Sequence, residues 1–250
     1  MAVIFVHGVP ETAAIWDPLL AGLGRDDAIT LSPPGFGAPV PDGFGATSDD
    51  YLAWLTAEVE KLGGTPHDLI GHDWGGGHVA RLAAARPDLV RSWATDIAGT
   101  LDPGYVWHDL AQVWQTEGAG EELVAAMFGG PPGPRAEALV QAGMTEPAAR
   151  SSAENLGPGT GRCILALYRS ARQPAMAGWG QQLESAERRP MLVINATADP
   201  YVGGPGLAHQ TAQRLGAQEA VLDGLSHWWM LHDPAQGARV IRDFLASLPR

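Results

Sequence analysis

The sequence predicts an α/β domain: a mostly parallel sheet flanked by helices, with a helical cap inserted into it. Two observations carry that prediction. Short apolar runs of strand length alternate with amphipathic stretches of helical period, the order that builds strand-helix-strand units. Between residues 100 and 186 this rhythm stops, yet apolar side chains remain frequent. The expected organisation is therefore a core of residues 1–99 and 187–250, interrupted by a cap of residues 100–186. A chain of 250 residues with 45% hydrophobic content suffices for one such core.

The strand candidates are 3–6, 28–31, 68–71, 92–97, 191–195 and 219–222. Between the second and third, Tyr51, Leu52, Leu55, Val59 and Leu62 place one apolar stripe on a helix that ends at Gly63-Gly64. A helix follows Gly75, turns Val79, Leu82 and Ala83 inward, and stops before Pro87. The cap segment holds three Trp and two Gly/Pro clusters, 129–134 and 157–161. Trp107, Trp114, Phe128, Leu165, Leu167 and Tyr168 make it too apolar for a disordered insertion. Val240, Ile241, Phe244 and Leu245 mark a closing helix.

Charge and cysteine usage narrow the function. The formal net charge is −12 and no Lys/Arg cluster exists, which argues against nucleic acid or an anionic membrane as partner and favours a small organic substrate. Cys163 is the lone cysteine, so neither an intramolecular disulfide nor a cysteine zinc site is available. No window reaches the roughly 20 apolar residues of a membrane span. The chain opens directly on a strand with no leader pattern, and a cytoplasmic location is expected.

The chemistry concentrates in Leu69-Ile70-Gly71-His72-Asp73-Trp74-Gly75-Gly76, a buried-type strand that runs through Gly-x-nucleophile-x-Gly into a helix. Such a turn needs small flanking residues so that the central side chain stands clear, and a helix N-terminus behind it favours an anion. Asp73 is the candidate nucleophile; an isolated Asp-x-Gly would sooner be read as an N-capping Asp ahead of an ordinary helix, and the context reverses that. Its context is informative. His7-Gly8-Val9-Pro10-Glu11-Thr12 follows the first strand and could offer the Val9 amide beside that of Trp74 as an oxyanion hole. Gly224-Leu225-Ser226-His227-Trp228-Trp229 follows the last strand. The order Asp73, Asp199, His227 is then nucleophile, acid, histidine.

Three segments, His7-Gly8-Val9-Pro10, Gly71-His72-Asp73-Trp74-Gly75-Gly76 and Ser226-His227-Trp228, resemble the epoxide hydrolase and haloalkane dehalogenase branch of the α/β-hydrolases, and the epoxide hydrolases most. The resemblance implies an α/β-hydrolase fold and an ester formed between Asp73 and a substrate carbon, then hydrolysed by His227-activated water. Asp199 would orient His227; Asp96, at the end of the preceding strand, is the alternative acid. Ala166-Leu167-Tyr168-Arg169 resembles the context of the epoxide hydrolases' second cap tyrosine, which makes Tyr168 the ring-opening donor. Tyr105-Val106-Trp107-His108 resembles a Trp-His segment that supplies His108 as the second donor, with Tyr105 as fallback. Trp107, Trp114 and Trp228 are expected to contact substrate. Haloalkane dehalogenases use the Trp after the nucleophile as a halide donor; Trp74 fits that, and Trp107 or Trp114 could be its partner. Fluoroacetate dehalogenases carry Arg where this chain has Trp74.

The resemblance would make the first segment the family's third strand, and a sheet without the usual N-terminal hairpin is expected. Strand 28–31 would then be a sheet edge for a partner chain or loop to cover, and a homodimer is one expectation. No cofactor or metal is implied: Gly75-Gly76-Gly77-His78-Val79-Ala80 fits a dinucleotide fingerprint only formally, and His227 and His232 do not share one helical face. A non-catalytic small-molecule receptor on the same fold is the reading from another class.

Overall fold

The computed structural model describes residues 1–64 and 66–249. Thr65 and Arg250, which fall in the two predicted core segments, lie outside the described residues.

Six strands form one parallel sheet: β1 (Val3–Val6), β2 (Ala28–Leu31), β3 (His67–Gly71), β4 (Val90–Thr95), β5 (Met191–Ala196) and β6 (Gln218–Leu222), in the order β2-β1-β3-β4-β5-β6. Every residue of β1, β3 and β5 is buried, which is why their apolar residues run consecutively instead of alternating with exposed polar ones. Alternation still sorts their side chains. Ile4 and Val6 enter one hydrophobic cluster, Val3 and Phe5 the other, on opposite faces of the sheet.

The helices are α1 (Asp17–Leu23), α2 (Ser48–Leu62), α3 (Trp74–Ala85), α4 (Asp109–Gln115), α5 (Ala119–Phe128), α6 (Pro132–Gln141), α7 (Glu146–Asn155), α8 (Pro158–Ser170), α9 (Ala175–Ser185), α10 (Gly204–Leu215), α11 (Trp229–His232) and α12 (Pro234–Ser247). A capping box starts α2 three residues ahead of its apolar stripe: the Thr47 hydroxyl accepts from the Asp50 amide and Asp50 accepts from the Thr47 amide at 2.9 Å. Gly63, at φ +59°, ends it. Helix α10 leaves little periodic signal in the sequence because it buries only Ala208, Thr211 and Ala212.

Helices α4 to α9 lie between β4 and β5, and no strand occurs among the described residues there. Their apolar side chains join those of the core: Trp107, Trp114, Phe128, Leu167 and Tyr168 share a cluster with Val6, Trp74 and Val79. Arg135 of α6 pins this region. It donates to the carbonyls of Met127, Phe128 and Gly130 at the end of α5, and to those of Ala153 and Leu156 at the end of α7, at 2.6–3.1 Å. A guanidinium suits two helix C-termini, where unpaired carbonyls concentrate negative potential.

Parallel register aligns the carboxyl ends of the central strands. Val6 pairs with Gly71, and Gly71 with Thr95. Functional loops of open α/β sheets gather at this edge, and here it gathers the loops carrying Gly8, Asp73, Asp96, Asp199 and His227. Close packing requires the glycines behind Asp73. A Cβ on Gly75 would stand 2.7 Å from the His7 carbonyl and nearer still to that of Val6. These glycines let α3 press against β1, and that close contact removes the formal dinucleotide reading.

Candidate active site

Asp73 sits between β3 and α3 with φ +47° and ψ −127°, a backbone region that non-glycine residues rarely occupy. Its side chain makes no capping bond to the helix, so the N-cap alternative does not describe it. The carboxylate points toward the β1 loop instead. Oδ2 accepts from the Val9 amide at 2.9 Å, while the Trp74 amide, in the first turn of α3, lacks an intrahelical acceptor. Gly8 makes this approach possible, because a Cβ there would stand 2.7 Å from Asp73 Cγ. Burial raises the Asp73 carboxyl above its ordinary range, and the charges of His227 and His72 and the Val9 hydrogen bond pull it back.

His227 is buried, and its Nδ1 lies 2.8 Å from Asp199 Oδ2. The other Asp199 oxygen accepts from the Tyr201 amide at 2.8 Å. Burial disfavours a charge on each, but the pairing wins: Asp199 is held below the usual carboxylate range and His227 above the usual imidazole range. With Nδ1 tied to Asp199, Nε2 is the nitrogen left for chemistry.

Asp96, the alternative acid, goes elsewhere. Strand β4 ends at Thr95, one residue before it, so strand alternation does not govern its side chain. Oδ2 lies 2.5 Å from His72 Nδ1 and accepts from Trp229 Nε1 at 2.8 Å; Oδ1 accepts from the Asp73 amide at 3.0 Å. Asp96 holds the backbone of Asp73 and leaves His227 to Asp199.

A cavity of about 570 Å³ opens above Asp73 and His227. Trp114, Tyr168, Tyr201, His108 and Trp228 contribute to its wall. His108 caps α4 by accepting the Ala111 amide on Nδ1 at 3.2 Å, which leaves Nε2 as the proton-bearing nitrogen of the neutral ring. Burial and the charge of His227 bring His108 down to about 4, so it is neutral at pH 7. Burial and the Asp73 charge keep the Tyr168 hydroxyl protonated by raising it well above the usual phenol range.

Other expected contacts are committed elsewhere. Tyr105, the fallback donor, gives its hydroxyl proton to the Tyr201 carbonyl at 2.8 Å. Trp228 donates to Glu11 at 2.6 Å, so only its ring meets the cavity. Trp107 lines a separate void of about 20 Å³ beside Asp73 and Trp74, stacks on Trp74 at 5.9 Å, and keeps a buried Nε1 without an acceptor; Trp114 Nε1 is likewise unpaired.

Sequence reasoning missed Glu11, His72 and Tyr201. Tyr201 packs edge-on against both His108 and His227 with ring centroids 5.0 Å apart in each case. Its place two residues after Asp199 was the available signal. Among the described residues no cluster of three or more His, Cys, Asp or Glu could hold a metal, and no helix is long and apolar enough to cross a membrane.

Comparison with known proteins bears on the family and the fold. A model of the alpha/beta hydrolase family matches residues 3–240. The chain belongs to the alpha/beta hydrolase family. Among curated relatives of this α/β-hydrolase, a haloalkane dehalogenase of Bradyrhizobium diazoefficiens is 28% identical over 141 residues, covering 49% of this chain and 45% of that protein. A 2-(acetamidomethylene)succinate hydrolase of Mesorhizobium japonicum is 30% identical over 90 residues, covering 36% and 32%. The matches thus span less than half the length of these relatives. Two solved structures share the fold over nearly the whole hydrolase. A haloalkane dehalogenase loop variant from Bradyrhizobium elkanii has a TM-score of 0.75 at 18% identity, covering 100% of this chain and 91% of that one. An E-2-(acetamidomethylene)succinate hydrolase has 0.77 at 18%, covering 98% and 91%.

Proposed function

We propose that this hydrolase opens an epoxide to a vicinal diol through an alkyl ester on Asp73. The observation that carries the reading is the pair of donors facing the nucleophile's cavity: a neutral His108 with its proton on Nε2 and a protonated Tyr168. An epoxide keeps its oxygen attached after attack, so the developing alkoxide needs such a donor.

In the first step Asp73 Oδ1 attacks a ring carbon, the carbon–oxygen bond of the ring breaks, and Tyr168 or His108 protonates the released oxygen. Oδ2 stays on the Val9 amide, which keeps the attacking oxygen oriented. In the second step His227 Nε2 takes a proton from water, and the hydroxide adds to the Asp73 ester carbon. The Val9 and Trp74 amides then stabilise the oxyanion. Asp199 stabilises the imidazolium formed on His227. Collapse of the adduct breaks the bond to the alkyl oxygen, the His227 imidazolium protonates that oxygen as the diol leaves, and the proton left on the Asp73 carboxyl returns to the Tyr168 or His108 that gave one up in the first step.

Dehalogenation by the same ester chemistry is the second reading. Supporting it are the unpaired Trp107 Nε1 beside Trp74, a small void next to Asp73 that both indoles line, and the partial likeness to a haloalkane dehalogenase.

Mass spectrometry of His227→Gln incubated with epoxide and haloalkane panels tests both. Loss of the base strands the ester on the peptide containing Asp73. An adduct with the whole epoxide mass is the expected result. An alkyl adduct with free halide would replace it with the second reading, and ligand binding without any adduct or turnover would favour a receptor.

A further inference from the structure

Beneath the reacting groups lies a buried charge cluster that the proposed chemistry does not use. His72 has no solvent exposure and stands between two carboxylates, with Nδ1 2.5 Å from Asp96 Oδ2 and Nε2 3.5 Å from Glu11 Oε2. Each carboxylate also holds a piece of catalytic backbone. Glu11 accepts from the Gly8 amide at 2.7 Å and so shapes the turn that presents Val9; Asp96 accepts from the amide of Asp73 itself. Trp228 and Trp229 complete the two carboxylates with indole donors at 2.6 and 2.8 Å. The His72 ring also lies under His227, with centroids 4.6 Å apart.

Two buried carboxylates close to Asp73 would be costly without a counter-ion, since like charges in a dry site disfavour each other's ionisation. A neutral imidazole could donate to only one of them. We propose that His72 is a standing imidazolium that positions both Asp73 and the Val9 turn through Asp96 and Glu11, and whose charge opposes the hold of Asp199 on a proton at His227, so that His227 is neutral at lower pH than the Asp199 pair alone would allow. This deepens the ester mechanism and rests on it for the role of His227, though not for the charge of His72.

The groups around the pair agree in sign. Facing His72 are Glu11, Asp96, Asp73, His227 and the buried His7, which burial keeps below its usual range. Glu11 is drawn down to about 2: burial opposes its ionisation, and the charge of His72 at 3.5 Å, with smaller contributions from His7 and His227, more than offsets that. Facing His227 are Asp199, which favours its protonation, and His72, which opposes it; Asp73 adds a weaker favourable contribution, and Glu11 and His108 also feel its charge.

Two measurements test the proposal. Imidazole nitrogen NMR of the intact wild-type protein should report both His72 nitrogens protonated at pH 7, without any substrate. A neutral His72 at pH 7 would overturn the proposal while leaving the Asp73 ester mechanism standing. The second is the pH dependence of ester breakdown in single turnover, where Asp73 no longer titrates and the acid limb belongs to His227. His72→Gln removes the cation and should move that limb up by about one pH unit; Glu11→Gln removes an anion and should move it down. Opposite shifts are an electrostatic signature that loss of packing does not produce. A uniform loss of rate at all pH values, with the limb unmoved in both variants, would overturn the tuning role. Should His72→Gln fail to fold, Glu11→Gln and the NMR measurement still decide.

Discussion

Gly8→Ala perturbs the proposed nucleophile, Asp73, without changing its chemical group. The backbone of residue 8 lies outside the positive-φ region, so alanine adds only bulk. That bulk meets Asp73: the new Cβ would stand 2.7 Å from Cγ and nearer still to Oδ2, where ordinary contact begins at 3.4 Å. The carboxylate or the loop must therefore yield by roughly 1 Å, which costs the Val9 hydrogen bond and the aim of Oδ1. Misplacement of about 1 Å from attack geometry lowers rate by on the order of 10²-fold. Overpacking costs about 1–3 kcal/mol of stability, so the fold should survive with a lowered Tm. The assay is kcat and KM with the substrate that the His227→Gln adduct identifies, alongside calorimetry. A folded Gly8→Ala protein with kcat within threefold of wild type would refute the claim that the Asp73 carboxylate, held by the Val9 turn, is the reacting group.

Asp73→Asn should abolish turnover yet stabilise the fold at neutral pH. Burial raises the folded-state carboxyl, so its contribution to stability is present below the ordinary value of about 3.9 and lost as pH rises through the raised one. The variant should then melt roughly 2–4 °C higher at pH 7.5 and level with wild type at the lowest accessible pH, as read by thermal unfolding. Asp199→Asn removes the carboxylate that orients and stabilises His227; ester breakdown should slow by roughly 10³–10⁴-fold, far more than ester formation, in rapid-quench experiments. Arg135→Met strips five carbonyls of their donor and should cost on the order of 4 kcal/mol, lowering Tm by roughly 10 °C and exposing residues 129–157 to limited proteolysis.

The parts of the site that could be read early are those set by local chain geometry. Gly-x-Asp-x-Gly after a buried strand specifies a sharp turn whatever lies beyond it, and the order of Asp73, Asp199 and His227 follows from strands that end at one edge. Asp96 shows where local reading stops. A shift of one residue in the end of β4 decides which way its side chain leaves the sheet, and the sequence does not mark strand ends that finely. The roles of Tyr105 and Trp228 were hidden for a related reason. Whether a phenol or an indole faces substrate depends on whether some distant acceptor, here the Tyr201 carbonyl or Glu11, claims its proton first.

Composition and periodicity were enough for the α/β sheet flanked by helices, because strand and helix period are each encoded within a few neighbouring residues. Only the tertiary structure decided the rest. It gave His227 to Asp199 and not to Asp96, and it closed Glu11 and Asp96 around His72 beneath the nucleophile. Those choices join residues as far apart as Glu11 and Trp228. They depend on strand register and on which buried donors find acceptors, and the packed chain settles both only as a whole.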